Sequence, residues 1–232
     1  MSVAMCGRYG RYTPGERFAG IIKGTVSTRF TDDVRYNRPP GTFQLIGLLN
    51  PDDGATTLGP AWWSFIPSWA TDTKLSPVNA RSETAAEKKM FAKAFAHQRC
   101  VVAADYWIEW SRDGDENQPY AIRPADGEPF FFAGIWSKAS RLPDDHSAAG
   151  EVTFAILTAE PNADIAHIHK RQPQALTNAG ARSWIDPDMD AGQAQEILQD
   201  ERHSSYESWP IAPRVGSPKN DDPAILDRVE LG

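Results

Sequence analysis

A cysteine stands near the start of the chain, in the sequence MCGRY, where packing gives it little reason to be. If translation starts at Met5 and that methionine is removed, Cys6 carries a free α-amine, which titrates at roughly 7.7–8.0. Such a residue can attack an aldehyde with its nitrogen and then close a five-membered thiazolidine ring with its sulfur. An internal cysteine cannot, because its nitrogen is an amide, and the alternative for Cys6 is a small buried hydrophobe.

Two residues are candidates for proton transfer by general acid–base catalysis. His169 precedes Arg171 by two residues in IHKRQP (168–173), which suits proton transfer beside an anion. The alternative for His169 and for His167 is an ordinary solvated or core histidine. Glu109 lies in YWIEW (106–110), where it is either a solvent-facing strand residue or a desolvated carboxylate with a raised pKa. Period-two alternation puts Glu109 on the face of Trp107.

Polar residues also precede the best helical pattern in the chain, in PVNARSET (77–84). Helix capping accounts for Ser82 and Thr84. It does not account for Asn79 and Arg81, which lie upstream in an extended segment.

Several classes of protein are excluded or disfavoured. There is no CxxC, HExxH, carboxylate cluster, GxxxxGK[ST] or GxGxxG, so no metal or cofactor is expected. A net charge of −7 disfavours broad coating of nucleic acid but permits a local basic channel. Two cysteines make no disulfide framework, and no signal sequence or membrane-length apolar run is present, so a cytoplasmic location is expected.

The elements that must position these residues are mostly strands. Strands outnumber helices and do not alternate regularly with them, so the sequence predicts a single α+β domain with a mainly antiparallel sheet. The predicted strands are 43–49, 100–103, 107–112, 120–123, 130–136 and 152–157, and the predicted helices are 13–22, 84–95 and 190–200.

An ordered set of motifs resembles the SRAP family, the SOS-response-associated peptidase or abasic site processing proteins. The motifs are CGRY (6–9), YNRPPGT (36–42), WSFIPSW (63–69), NARSET (79–84), the segment 99–110 and HKRQP (169–173). Each is unspecific alone, whereas the ordered set is highly specific. The resemblance implies one domain over 6–225 with a barrel-like core and flanking helices, and it leaves 1–5 as a leader or a misassigned start outside the fold.

The resemblance also implies a function in the DNA damage response. The protein would recognise abasic sites in single-stranded DNA and form a covalent thiazolidine crosslink, with associated lyase cleavage and suspected autoproteolysis. Carried over by motif, Cys6 is the nucleophile and Asn79 positions it with the sugar. Glu109 assists Schiff-base formation, and His169 assists sugar ring opening and the reverse reaction.

The DNA contacts follow from the same motifs, and the partner implied is a single strand bound by a monomer, without a membrane. Arginines would hold the phosphates around the lesion by their fork geometry, and an exposed aromatic would stack on flanking bases. The residues implied are Arg8, Asn37, Pro40, Trp69, Arg81 and Arg171.

This sequence departs from the family pattern in a few places. Residues 1–4 precede the expected initiator, and if they persist Cys6 has no free amine. Ser64 and Tyr106 stand where glycine is usual, and Ala70 stands where a second tryptophan sometimes occurs. Two other functions remain open: a cysteine peptidase using Cys6 with His169 and Asn79, and a non-catalytic binder of single-stranded DNA.

Overall fold

The computed structural model describes residues 7–50, 54–111 and 117–231, so Cys6 lies outside the described residues. The strands are β1 (Tyr9–Arg11), β2 (Thr25–Val26), β3 (Arg35–Arg38), β4 (Phe43–Leu49), β5 (Thr56–Trp63), β6 (Asn79–Arg81), β7 (Arg99–Ala104), β8 (Tyr106–Ser111), β9 (Gln118–Pro124), β10 (Phe130–Lys138), β11 (Val152–Ala159), β12 (Gln172–Pro173), β13 (Ala175–Leu176) and β14 (Tyr206–Pro210). The α-helices are α1 (Gly15–Ile21), α2 (Ser82–Ala85), α3 (Ala92–His97), α4 (Asn178–Trp184) and α5 (Ala191–Asp200), and two 3₁₀ helices span Pro213–Gly216 and Pro223–Leu226.

Five strands close into a barrel, in the order β4, β5, β11, β10 and β7. Most neighbours are antiparallel, and the parallel pairing of β5 with β11 at Trp63 and Phe154 closes the ring. A second sheet has the order β14-β9-β8-β1-β3. The predicted α+β class, with a mainly antiparallel sheet and a barrel-like core, is confirmed.

The aromatic run of β10 explains how the layers are joined. Its side chains alternate between two buried clusters, as expected for a strand covered on both faces. The ring of Phe131 packs edge-on against Phe18 of α1, 5.3 Å away. The ring of Phe132 packs against Tyr9 and Trp107 of the second sheet, at 5.8 and 6.0 Å. One strand therefore fixes both the helices and the second sheet against the barrel.

The helix predictions are confirmed in part. The helix over 190–200 is α5, with a capping box between Asp190 and Gln193. Helix α1 forms, but Thr13 does not cap it, because the Thr13 hydroxyl donates to Asp105 at 2.6 Å. The backbone nitrogen of Gly15 donates to Asp32 instead.

The continuous helix predicted over 84–95 is wrong. The chain forms two short helices, α2 and α3, separated by turns. The backbone nitrogen of Phe91 bonds the carbonyl of Lys88, three residues back, which tightens the chain before α3 begins. The ring of Phe91 then packs on Phe65 of the core, 5.4 Å away.

Candidate functional site

Glu109 is placed by the pairing of β8 with β1. Tyr9 pairs with Trp107, and the backbone nitrogen of Ile108 donates to the carbonyl of Arg8 at 3.0 Å. Continuing this antiparallel register places Glu109 opposite Gly7, which follows Cys6 in the sequence. The fold therefore brings Glu109 beside the start of the described chain.

The environment of Glu109 excludes the solvent-facing alternative. The residue is 4% exposed. Trp107 belongs to the cluster between the barrel and the second sheet, whereas Ile108 and Trp110 pack in a different cluster on the opposite face of β8. The predicted alternation is confirmed, and both faces of the strand are covered. A carboxylate so placed is withdrawn from bulk water, an environment that suits a general acid or base.

Asn79 and Arg81 lie on β6, a short strand that runs parallel to β11. Asn79 pairs with Ile156, and Arg81 pairs with Thr158. The residue before Asn79 is tied to the barrel, because the indole nitrogen of Trp63 donates to the carbonyl of Val78 at 3.0 Å. The ring of Trp63 in turn lies 5.2 Å from that of Tyr9. This chain of contacts links β6 to β1, the strand that pairs with β8, on which Glu109 lies.

His169 is held by a loop between β11 and β12. Ile165 and Ile168 anchor the loop, each 3% exposed, in the cluster that contains Tyr9 and Trp107. The backbone nitrogen of Arg171 donates to Nδ1 of His169 at 3.2 Å, and the ring is half-buried. Nδ1 also lies 3.1 Å from the carbonyl oxygen of Arg171, so the Arg171 backbone offers the imidazole a partner in either neutral tautomer. The ring is therefore oriented by its own loop, as a proton-transfer group must be.

His167 belongs to the same loop but is exposed. Its ring lies 6.2 Å from that of Tyr120, the cross-strand partner of Glu109. This contact links the His169 loop to the Glu109 strand.

Arg8 and Asn37 form a separate cluster with the 3₁₀ helix Pro213–Gly216. The guanidinium of Arg8 donates to Oδ1 of Asn37 at 2.9 Å and to the carbonyls of Val215 and Gly216. Burial lowers the pKa of Arg8 below its ordinary value. The two hydrogens of the Asn37 amide nitrogen are shared among the carbonyls of Val215, Ser217 and Asn220, at 2.9, 3.0 and 2.9 Å.

Asn37 is 2% exposed, so its side chain is occupied by the protein itself. Its direct geometric role is to fasten the C-terminal segment against β3 and to hold Arg8.

Arg171 is engaged by a residue that sequence reasoning did not single out. Its guanidinium makes a bidentate ion pair with Glu83, at 2.6 and 2.8 Å, and also donates to the carbonyl of Thr158. The hydrogen bonds from Arg171 hold the pKa of the Glu83 carboxyl below its usual range. The sequence held one indication that Glu83 belongs to the site: it lies two residues after Arg81, in the same motif.

The remaining DNA-binding candidates differ in exposure. The side chain of Arg81 is exposed, and Trp69 is 56% exposed, so both are open to a ligand. Pro40 is half-buried in a turn whose next residue, Gly41, has a φ of 72°, a conformation that favours glycine.

The departures from the family pattern are accommodated locally. The ring of Tyr106 lies over its cross-strand partner Gly10, where a Cβ would meet the ring at 2.2 Å, so this tyrosine requires that glycine. The hydroxyl of Ser64 donates to the carbonyl of Ser76 at 2.6 Å. Ala70 is 6% exposed in a small apolar cluster, so its side chain does not face solvent.

Six of the predicted residues fall into two groups. Asn79, Arg81, His169 and Arg171 are gathered around the end of β11, and Arg8 and Asn37 lie with the C-terminal segment. Within the described ranges, no cluster of histidine, cysteine and carboxylate side chains could hold a metal ion. Across the same ranges, no helix is both long and apolar enough to cross a membrane.

Comparison of the sequence with known families and proteins gives consistent matches. The profile of the family described as SOS response associated peptidase (SRAP) matches residues 5–218. "Abasic site processing protein YedK" of Escherichia coli is 33% identical over 97% of this chain and 100% of its own. "Abasic site processing protein YoqW" of Bacillus subtilis is 31% identical over 96% of this chain and 99% of its own.

Solved structures match the fold as well. A protein from Bacteroides thetaiotaomicron superposes with a TM-score of 0.79 and 22% identity, over 97% of this chain and 100% of that chain. A phage-related protein from Bordetella bronchiseptica superposes with a TM-score of 0.71 and 27% identity, over 89% and 94%.

Proposed function

The chain belongs to the SRAP family, and on that premise we propose that it processes abasic sites in single-stranded DNA by forming a covalent crosslink through Cys6. Relatives named abasic site processing proteins align over nearly their whole length, which supports the substrate. The observation that carries the chemistry is the burial of Glu109 in register with Gly7, directly after Cys6.

The proposed reaction begins with the closed hemiacetal of the abasic sugar. Ring opening exposes the C1′ aldehyde, and His169 moves the proton that this step requires. The amine of Cys6 adds to the aldehyde, and loss of water gives an imine, with Glu109 transferring the protons. The thiol of Cys6 then adds to the imine carbon and closes the thiazolidine ring.

The imine intermediate also accounts for strand cleavage. Before the ring closes, the imine permits β-elimination of the 3′ phosphate, which is the lyase activity that we propose for the same site. The strand lacks a base at the lesion, so no base has to be flipped out of a duplex. Asn79 positions the cysteine and the sugar, next to Arg81 on the same strand.

We propose that the DNA lies across the exposed side chains of Arg81 and Trp69, with Pro40 at its border. Arg8 and Arg171 add positive charge from positions where the protein already holds them. Asn37 contributes by orienting Arg8. An acidic protein with a net charge of −7 can bind phosphate in this way, because these arginines make the surface around the proposed site locally positive.

The scheme needs the amine of Cys6 to be free. We therefore propose that the functional domain spans 6–225 and that residues 1–5 are absent from the active protein, through a start at Met5 or through self-removal. A chain that keeps them should bind abasic DNA without crosslinking to it.

The test compares a protein that begins at Cys6 with one that keeps residues 1–5. Each is incubated with single-stranded DNA carrying one abasic site, and heat-stable adducts are measured by denaturing gel and intact mass. We expect an adduct with loss of one water from the protein beginning at Cys6 alone. A Cys6→Ser variant should form an imine that borohydride traps, but no thiazolidine.

The family description also names a peptidase, so peptidase activity is the second candidate function. A peptidase using Cys6, His169 and Asn79 needs the thiolate and not the amine, so residues 1–5 should not abolish its activity. Peptide cleavage by both forms, with no adduct from either, would refute the crosslinking proposal. If the protein retains DNA in a salt-sensitive manner but forms no adduct and cleaves neither DNA nor peptide, it is a non-catalytic binder of single-stranded DNA.

A further inference from the structure

A cleft of about 950 Å³ opens beside β6 and is not accounted for by the roles given above. Asn79 and Arg81 form one border, so the cleft is continuous with the proposed reaction site. Its other border comes from the turns between α2 and α3, the segment where the predicted continuous helix is broken. The break therefore shapes the cleft.

The floor of the cleft is apolar. Leu75, Met90 and Phe91 line it, and Leu75 is 54% exposed, so part of this apolar lining is open to solvent. Met90 is half-buried, and the ring of Phe91 is held edge-on by Phe65, 5.4 Å away. An exposed apolar surface supported from below suits a flat hydrophobic ligand.

The rim of the cleft is positively charged. Arg81 and Lys88 both line it, and both are exposed. In the part of the chain that the structure describes, the side chains of these two residues make no hydrogen bond and no ion pair within 4 Å, in contrast to Arg8 and Arg171, although the charge of Arg81 helps to lower the pKa of the Glu83 carboxyl. Lys74, a third cation on the rim, pairs with Asp72 at 3.4 Å, and both partners are exposed. The charge of Arg81 and Lys88 is therefore available to a ligand.

We propose that this cleft binds the nucleotide next to the abasic site, on one side of the lesion. The base stacks on the apolar floor at Met90 and Leu75, and its phosphate lies between Arg81 and Lys88. The inference rests on the proposed function, since it assigns a neighbouring unit of the same strand. A nucleotide fits better than an anionic lipid or an acidic peptide because Asn79 and Arg81 belong to both the cleft and the reaction site.

The test uses oligonucleotides that carry a tetrahydrofuran residue, an abasic analogue without an aldehyde, so that binding is measured at equilibrium by fluorescence anisotropy. A second tetrahydrofuran replaces the neighbouring nucleotide on the 5′ or the 3′ side. Since stacking of one base contributes about 1–3 kcal/mol, we expect its removal on one side to weaken binding by about fivefold or more. The loss of affinity from removing the base in the cleft should disappear in a Met90→Ala variant, whereas a loss from removing the base on the other side should persist.

Variants assign the effect to the cleft. Lys88→Ala should reduce the slope of log K against log salt by about 0.7, the value for one phosphate contact on a single strand. Lys89→Ala is the matched control, because Lys89 is the adjacent exposed lysine and does not line the cleft. Met90→Ala should remove the sensitivity to the neighbouring base, and thermal unfolding measures its effect on the fold separately.

The outcomes distinguish this inference from the proposed function. Equal slopes for Lys88→Ala and Lys89→Ala, or no effect of the neighbouring base on either side, would overturn the cleft assignment while leaving abasic-site binding intact. If the parent protein does not prefer the tetrahydrofuran strand to an undamaged strand and forms no adduct with a true abasic site, both proposals are overturned together.

Discussion

Replacement of Asn37 by alanine tests whether the C-terminal segment is fastened by one buried amide. The substitution removes donation to the carbonyls of Val215, Ser217 and Asn220, and it removes the acceptor of Arg8. A buried neutral hydrogen bond contributes about 0.5–1.5 kcal/mol, and a bond to a charged group about 1.5–3 kcal/mol. The amide nitrogen has two hydrogens, so the partly solvated contacts with Ser217 and Asn220 count together as one bond at the lower end.

We therefore expect Asn37→Ala to lower the free energy of unfolding by about 3–5 kcal/mol. For a chain of this length, this corresponds to a fall in melting temperature of about 10 °C. Urea denaturation followed by tryptophan fluorescence measures the change. Hydrogen exchange should show the loss of protection concentrated in 213–221 and around Arg8.

Two further variants sharpen the test. Asn220→Ala removes a single solvent-exposed bond, from its amide nitrogen to the carbonyl of Arg214, and should cost less than about 1 kcal/mol. Asn37→Asp keeps an acceptor for Arg8 but loses the donor to the three carbonyls, so the segment should still loosen. If Asn37→Ala changes stability no more than Asn220→Ala does, this account of the C-terminal segment is wrong.

Three other perturbations have definite expected outcomes. Trp69→Ala should weaken binding to single-stranded DNA by about fivefold or more, since one stacked base contributes about 1–3 kcal/mol, with unchanged thermal stability because the ring is 56% exposed. Glu83→Gln should tighten DNA binding a few-fold, because Arg171 loses a carboxylate that competes with phosphate. The control Glu87→Gln, at an exposed residue, should leave DNA binding unchanged. Fluorescence anisotropy at several salt concentrations measures both affinities. Burial lowers the pKa of His203, so the unfolded chain takes up its proton more readily, and stability should fall as pH drops through about 6.5. His203→Gln should flatten that fall in urea titrations from pH 7.5 to 5, and an unchanged slope would contradict this assignment.

Patterns of residues were enough to predict the local elements where one physical signal dominates. The alternation in 106–111 correctly separated Trp107 and Glu109 from Ile108 and Trp110, because successive side chains of a strand must face opposite sides. The strand over 43–49 agrees with β4 at both ends. The helix predicted over 190–200 agrees with α5, whose capping box is formed by Asp190 and Gln193.

Local patterns failed where a distant partner competes for the same group. Thr13 has the type and spacing of a helix cap, yet its hydroxyl bonds Asp105, which is 92 residues away. The apolar spacing in 84–95 predicts one helix, but packing of Phe91 on Phe65 accompanies a turn that divides it. Such competition depends on which segments meet in space, and a window of sequence does not contain that information.

The same distinction holds for the candidate site. The types of residue and the order of motifs sufficed to nominate Cys6, Asn79, Glu109 and His169, because the chemistry of an amine, a carboxylate and an imidazole belongs to the residue itself. Only the tertiary structure decided whether each arginine is paired within the protein or open to solvent. Arg171 is paired with Glu83, and Arg8 is bonded to Asn37 and to carbonyls of the C-terminal segment. The side chain of Arg81 is open to solvent. The availability of a charge depends on the partners that the fold places within a few ångströms, and those partners come from segments up to 208 residues apart.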